Sequence, residues 1–156
     1  MDDFVKAQGN VFVAHRLRRL SDRIVDQVGA QLQQMRLDVP PRGASMLLLL
    51  DAEGSLGIVE VARRLRLSHP LIVRMAQQFE ARGLVTIEAD PADGRRRLLI
   101  PTDKARREAA AIRAFNRRLG AVFDALFAEI GCQLTDVLDR LDSALSAHPI
   151  ADRLPD

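Results

Sequence analysis

The side chains in this sequence that could do chemistry are mostly basic, and they are concentrated in one stretch. Residues 63–107 contain eleven basic and five acidic residues, a net charge of +6, while the whole chain carries +2 and the remainder therefore −4. A basic segment on an otherwise acidic chain is typical of a protein that binds a polyanion such as nucleic acid. The alternative interpretation is that arginine is simply the solubilising base this protein uses most.

The densest group of positive charge is formed by Arg95, Arg96 and Arg97. These arginines follow a turn signal, residues 90–94, that separates two short β-type segments, and this order predicts a hairpin with arginines at its tip. Mutual repulsion makes such a tip costly unless an anion neutralises it, so we expect it to contact DNA phosphates. The alternative is a solvated turn.

The residues before the hairpin predict two short helices joined by a tight turn across Arg66 and Leu67. Apolar residues repeat at helical spacing in both segments: Ile58, Val61, Ala62 and Leu65 in the first, Ile72, Met75, Ala76 and Phe79 in the second. Ser68 is the expected N-cap of the second helix, with Pro70 in its first turn, and Gly83 is expected to end it. Two such helices followed by a basic hairpin predict a winged helix-turn-helix.

The outward face of the second helix is then expected to lie in a DNA major groove. Arg74 is the expected base-reading residue, at a guanine, with Gln77 second and Ser68 or His69 at phosphate. The alternative is that Arg74 is a solvated residue on an exposed helix face. The apolar side chains beside them could pack on the methyl group of thymine. The full predicted set on this helix is Ser68, His69, Pro70, Leu71, Val73, Arg74 and Gln77.

Residues 65–102 resemble the DNA-binding lobe of MarR-type transcriptional regulators. The pattern of that family is a Leu-Ser-x-Pro helix start, an arginine six positions after the serine, Arg-Gly-Leu-Val, a wing with Asp-x-Arg, and Leu-Thr at the next helix. Matching residues here are Leu67, Ser68, Pro70, Arg74, Arg82, Gly83, Leu84, Val85, Asp93, Arg95 and Thr102. The resemblance implies a homodimeric repressor that binds a pseudo-palindromic operator in double-stranded DNA, with Asp93 orienting a wing arginine.

The resemblance also implies an effector site. Related proteins bind small anionic or aromatic molecules in a cleft beside the winged lobe, and the candidate anion partners here are His15, Arg16 and Arg18. The alternative is that these three residues form a solvated helix face. One departure from the family is Arg66, at a position usually occupied by glycine, where a positive φ would cost roughly 1 kcal/mol.

We predict a mainly α fold: a winged lobe with a two- or three-stranded wing, residues 41–102, and a helical dimerisation lobe, residues 8–36 and 103–147, within a single composite subunit. The terminal helices carry more apolar surface than one small winged lobe can cover, which favours a two-fold dimer. The tail from residue 148 to residue 156 is expected to be loose.

Other classes of function find little support in the sequence. Cys132 is the only cysteine, so an intramolecular disulfide is excluded, and the residue is expected to be buried without a redox role. The three histidines lack companions at metal-ligand spacing, and no catalytic triad or phosphate loop is present, so we expect neither metal, cofactor nor enzymatic activity. The chain begins without a signal-peptide pattern, which favours the cytoplasm. The remaining alternative is a winged-helix module for protein–protein assembly, against which the arginine tip and Arg74 argue.

Overall fold

The structure is a computed structural model that describes residues 3–155. Its helices are α1 (Phe4–Ala7), α2 (Val13–Gln34), α3 (Ala44–Glu53), α4 (Ile58–Leu65), α5 (His69–Ala81), α6 (Asp103–Ile130) and α7 (Leu134–Ala147). Short 3₁₀ turns cover Gly9–Phe12, Pro41–Gly43 and Ile150–Arg153. None of the described helices is both long and apolar enough to cross a membrane.

A small antiparallel sheet forms the wing. Its strands are β1 (Leu56–Gly57), β2 (Val85–Ala89) and β3 (Arg97–Pro101), in the order β1–β3–β2. Leu56 lies opposite Leu99, and Val85 lies opposite Pro101. The expected helical winged fold is confirmed, and the minimal strand at Leu56 gives the wing its third strand.

The chain divides into two compact units at Arg113, within α6. The first unit contains the winged lobe. Its core lies where the apolar faces of α3, α4 and α5 pack against the sheet. The fully enclosed side chains include Met46, Leu47, Leu50, Val61, Ile72, Phe79, Leu84 and Leu99. A core built from aliphatic residues and one phenylalanine agrees with a chain that has no Trp or Tyr.

Two glycines in the first unit allow close contact around the 3₁₀ turn Pro41–Gly43. A Cβ on Gly29 of α2 would lie 2.7 Å from Cγ of Pro41, and one on Gly43 would lie 2.6 Å from Cε1 of Phe79. These distances are shorter than real Cβ contacts, so only glycine fits at either position without moving the neighbour. The turn is therefore packed tightly between α2 and α5.

Helix boundaries depart from the sequence prediction at the N-terminus. The first helical segment was expected to span residues 8–36, but α2 begins at Val13. Gly9, the first residue of the 3₁₀ turn that follows α1, takes a positive φ of 66°. The chain can turn there at no steric cost because glycine lacks a Cβ.

The second unit consists of the rest of α6, together with α7 and the C-terminal turn. No residue from 116 to 155 is buried, and the exposed large apolar side chains are Val122, Leu126, Ile130, Val137, Leu138, Leu141, Leu145, Ile150 and Leu154. In the tail, Arg153 donates to the backbone oxygens of Ala144 and His148, at 2.7 and 2.6 Å. These bonds satisfy carbonyls at the end of α7. Asp156 lies outside the described residues.

Candidate nucleic-acid interface

Helix α5 has one face in the core and the other in solvent. Ile72, Met75, Ala76 and Phe79 are buried, whereas Arg74 and Gln77 are exposed. Ser68, His69 and Pro70 are exposed at its N-terminus, and Leu71 and Val73 are half-buried at the borders of the two faces. The structure thus brings the predicted recognition residues together on one accessible surface. The short connection from α4 across Arg66 leaves the start of α5 uncovered.

The expected side-chain cap at Ser68 is not made. Ser68 occupies the N-cap position with extended backbone angles, but its hydroxyl bonds to no backbone N–H of the helix. Its carbonyl oxygen instead accepts the N–H groups of Leu71 and Ile72, at 3.0 and 3.2 Å. A serine hydroxyl that is not used as a cap is available to donate to a ligand.

Two aspartates shape the wing tip through backbone contacts. Asp93 Oδ1 accepts the N–H of Arg95 at 3.1 Å, and its carbonyl oxygen accepts the N–H of Arg96 at 2.8 Å. Asp90 Oδ1 accepts the N–H of Ala92 at 2.8 Å. In residues 3–155, Asp93 forms no ion pair with a wing arginine, so its contact with the wing is a backbone hydrogen bond of the turn.

The three wing arginines occupy different environments. Arg96 Nη1 lies 3.7 Å from Asp90 Oδ2, and its Nη2 lies 3.3 Å from where a Cβ on Gly57 would be. Its guanidinium therefore lies over the start of α4. Arg95 and Arg97 are exposed and have no carboxylate within 4.0 Å among the described residues. They are the two wing cations available for an anion from solution.

The turn between α4 and α5 contains the left-handed residue that the sequence indicated. Arg66 has φ 52° and ψ 40°, and its N–H donates to the carbonyl oxygen of Arg63 at 3.3 Å. Leu67 N–H donates to the carbonyl oxygen of Ala62 at 3.0 Å, which completes a Schellman ending of α4. The positive φ on which the expected strain depends is confirmed, and a side chain in this region costs about 1 kcal/mol relative to glycine.

A second set of contacts holds the far end of α5. Arg82 Nη1 donates to the carbonyl oxygen of Asp38 at 2.7 Å, and Lys104 Nζ donates to the carbonyl oxygen of Arg82 at 2.6 Å. Lys104 Nζ also lies 2.6 Å from Asp38 Oδ2, and this hydrogen bond and charge hold the pKa of the Asp38 carboxyl below its ordinary value. Arg82, which matches the family motif, therefore joins α5 to the loop that follows α2.

Glu108 is a structural residue that the sequence analysis missed. Its carboxylate is buried and accepts the backbone N–H groups of Asp38 and Val39, at 3.1 and 2.9 Å. The spacing of Ala105, Ala109 and Ile112 marks this face of α6 as apolar, and a glutamate within it was the available signal. Among the described residues, no buried side-chain nitrogen or oxygen lacks a partner.

The candidate effector residues lie on the surface of the first unit. His15, Arg16 and Arg18 are all exposed on α2, and Arg18 Nε lies 3.9 Å from Asp22 Oδ2. Cys132 lies half-exposed in the connection between α6 and α7, rather than buried as expected. No group of three or more His, Cys, Asp or Glu side chains in the described part of the chain could hold a metal ion.

Comparisons with known proteins agree with this geometry. Residues 37–96 match the model of the MarR family. Among solved structures, the chain is similar to MepR of S. aureus in a DNA complex, with 20% identity, a TM-score of 0.69 and coverage of 85% of this chain and 96% of that one. It is similar to PcaV of Streptomyces coelicolor in complex with its natural ligand, with 25% identity, a TM-score of 0.69 and coverage of 92% and 99%.

A third similar structure is the regulator BldR of Sulfolobus solfataricus, with 19% identity, a TM-score of 0.62 and coverage of 94% and 99%. Comparison with curated protein sequences finds no match. The structural likenesses establish the fold over nearly the whole chain, and the family match covers the winged lobe. BldR and PcaV are transcriptional regulators, and MepR is seen in complex with DNA.

Proposed function

We infer that this chain, a MarR-type winged helix-turn-helix regulator, controls transcription by binding double-stranded DNA at specific sites. One observation carries the inference: α5 presents Arg74 and Gln77 to solvent beside a wing whose Arg95 and Arg97 have no carboxylate partner in residues 3–155. A helix in the major groove with an arginine-bearing wing at the neighbouring minor groove uses both features.

The protein acts as a homodimer in this proposal. Large apolar side chains are exposed near both ends of the chain, among them Phe4, Val11 and Val13 before residue 14, and Val122, Leu126 and Ile130 on α6. Apolar surface of this extent is a partner-binding surface in most soluble proteins. A second copy would cover it through a two-fold axis, and the operator would then be pseudo-palindromic with half-sites about 10 bp apart.

We further propose that the dimer represses transcription in the cytoplasm and that a small aromatic or anionic effector releases it. His15, Arg16 and Arg18 are the candidate anion partners on α2. The similar PcaV structure contains that protein's natural ligand, which supports a ligand site in this fold. Screening aromatic carboxylates for release of bound DNA tests this step, and the proposal fails if none of them releases DNA or changes the melting temperature.

The experiment that tests DNA binding is selection of bound sites from a pool of random duplexes, followed by affinity measurements on the enriched sequence. We expect an enriched motif with two-fold symmetry and an affinity that falls steeply as salt rises. The absence of binding to any duplex at moderate salt would contradict the proposal and favour a winged-helix module for protein assembly.

A further inference from the structure

We propose that Arg66, in the turn between α4 and α5, binds a phosphate of the DNA backbone beside the recognition helix. This inference rests on the proposed DNA-binding function and adds a residue at which the sequence departs from the family pattern.

Among the described residues, the guanidinium of Arg66 forms no ion pair, whereas those of Arg63 and Arg64 do. Arg63 Nη2 lies 2.6 Å from Glu60 Oε1, and Arg64 is paired with Glu53. Arg66 is exposed and has no carboxylate within 4.0 Å among residues 3–155. It is therefore the one of these three arginines whose guanidinium can meet an external anion without giving up an ion pair.

The position of Arg66 places this charge where DNA phosphates would pass. Arg66 precedes Ser68 by two residues, a separation of at most about 7 Å between Cα atoms, and an arginine side chain can span a similar distance. Ser68, His69 and Pro70 are exposed, and no side chain caps the N-terminus of α5. A phosphate near this helix end would meet the positive end of the helix and the Arg66 guanidinium together.

The left-handed backbone of Arg66 is not itself evidence for DNA contact, because Arg36 has the same feature. Arg36 has φ 56° where α2 ends, and it too is exposed and without a carboxylate partner in the described residues. Arginine at the end of a helix is favoured by the helix dipole, which partly offsets the strain. The two arginines are therefore matched in backbone, charge and exposure, and they differ in position.

Arg36 lies at the opposite end of the recognition helix from Arg66. It precedes Asp38 by two residues, and the carbonyl oxygen of Asp38 accepts a hydrogen bond from Arg82, which follows the last residue of α5. A helix rises about 1.5 Å per residue, so the 13 residues of α5 separate the two ends by roughly 20 Å. An effect on DNA binding that is specific to Arg66 would therefore reflect its position at the DNA-facing end.

The test compares Arg66→Gly, Arg36→Gly, Arg66→Ala and Arg66→Lys in the full-length protein. Each variant is heated to obtain its melting temperature and titrated with a mixed-sequence duplex of about 30 bp, long enough for two half-sites. Titrations at several salt concentrations give the slope of log K against log salt. Both glycine variants should melt a few degrees higher than the unmodified protein, because each removes a strained side chain.

Only the Arg66 variants that lose the charge should weaken DNA binding. Arg66→Gly and Arg66→Ala should bind roughly tenfold more weakly at about 0.1 M salt, and the slope should become shallower by about 0.9 per protomer. Arg36→Gly should keep both affinity and slope, and Arg66→Lys should keep the slope. Arg66→Ala should not melt higher, since alanine keeps the strained backbone.

The outcomes separate this inference from the function on which it rests. If the unmodified protein binds the duplex and Arg66→Gly binds it with equal affinity and slope, Arg66 does not contact phosphate. Equal weakening by Arg36→Gly and Arg66→Gly would also overturn the inference, because the loss would then follow net charge rather than position. If the unmodified protein binds no DNA at any salt concentration, both the function and the inference are wrong.

Discussion

The buried carboxylate of Glu108 accepts the backbone N–H of Val39 at 2.9 Å, across 69 residues of chain. The same carboxylate accepts the N–H of Asp38 at 3.1 Å. One acidic side chain on α6 thus satisfies two backbone donors in the loop that follows α2. Because Arg82 at the end of α5 bonds the carbonyl oxygen of Asp38, this loop is held from two sides.

Replacing Glu108 with alanine should destabilise the protein by about 2 kcal/mol, because two buried N–H groups would lose their acceptor. Glu108→Gln keeps a neutral acceptor and should cost less. Urea unfolding followed by circular dichroism measures both. Glu80→Ala, which removes an exposed carboxylate from α5, should change stability by no more than about 0.5 kcal/mol. Equal stability of Glu108→Ala and the unmodified protein would show that water replaces the carboxylate.

The Asp38–Lys104 pair should make stability depend on pH in acid. The pKa of Asp38 is lowered from an ordinary value of 3.8 by the Lys104 hydrogen bond, so its contribution is fully present above 3.8 and is lost as the pH falls through the lower folded-state pKa. The difference in unfolding free energy between the unmodified protein and Asp38→Asn should therefore shrink below pH 3.8. Urea unfolding of both proteins across this pH range measures the difference. If the difference grows as the pH falls, the predicted direction is wrong.

Replacing Arg95 and replacing Arg96 should have different effects on the stability of the protein. Arg95→Ala should weaken binding to nearly all duplexes and make the salt slope shallower by about 0.9 per protomer, without changing the melting temperature. Arg96→Ala should also lower the melting temperature, because Arg96 lies against Gly57 and near Asp90. Arg23→Ala, which removes an exposed charge from α2, is the control. An unchanged slope for Arg95→Ala would show that the tip does not touch DNA.

We expect α5 to recognise the DNA sequence through one strong polar contact, from Arg74, and through apolar contacts from Leu71 and Val73. Arg74→Ala should cost about 1–3 kcal/mol of binding and relax the choice of base at one position per half-site. Leu71 and Val73 are half-buried, and we expect their exposed parts to pack on thymine methyl groups. Replacing thymine with uracil in the selected operator removes only the methyl. If no such replacement within a half-site changes affinity, the apolar residues do not read DNA.

The exposed apolar side chains of α7 should hold the dimer together. Leu141→Glu would place a charge within this surface and should shift the protein towards monomer at micromolar concentration, as measured by sedimentation. Val59→Glu is the control, because Val59 is an exposed apolar residue on α4, 69% accessible against 40% for Leu141, and is not part of a terminal helix. A folded monomer of the unmodified protein at the same concentration would contradict the dimer.

The sequence predicted features whose causes are local. Gly83 ends α5 with a φ of 67°, and Thr102 Oγ1 accepts the N–H of Ala105 at 3.2 Å at the start of α6, both as expected. The positive φ of Arg66 was indicated by the family resemblance, because that position is usually occupied by glycine. Each depends on neighbours within a few residues, which is the range over which capping and turn chemistry act.

Features that depend on distant partners could not be predicted in the same way. The partners of Glu108 lie 69 and 70 residues away, so its place on an apolar face of α6 indicates burial but not which groups it bonds. Ser68 occupies the predicted N-cap position of α5, but its hydroxyl makes no capping hydrogen bond, because residue type alone does not fix the rotamer of a hydroxyl. Arg96 lies over α4, whereas Arg95 has no carboxylate partner among the described residues. This difference depends on how the hairpin bends, which sequence spacing does not encode.

The two close glycine contacts have a mechanical consequence. The turn Pro41–Gly43 meets α2 at Gly29 and α5 at Phe79 with no room for an added methyl group on either side. The turn therefore cannot be compressed between α2 and α5. If α2 moves towards the turn, we expect α5 to be pushed in the same direction, since tightly packed interiors compress little. In the proposed dimer, a molecule that displaces α2 would therefore change the spacing between the two copies of α5 without touching either of them.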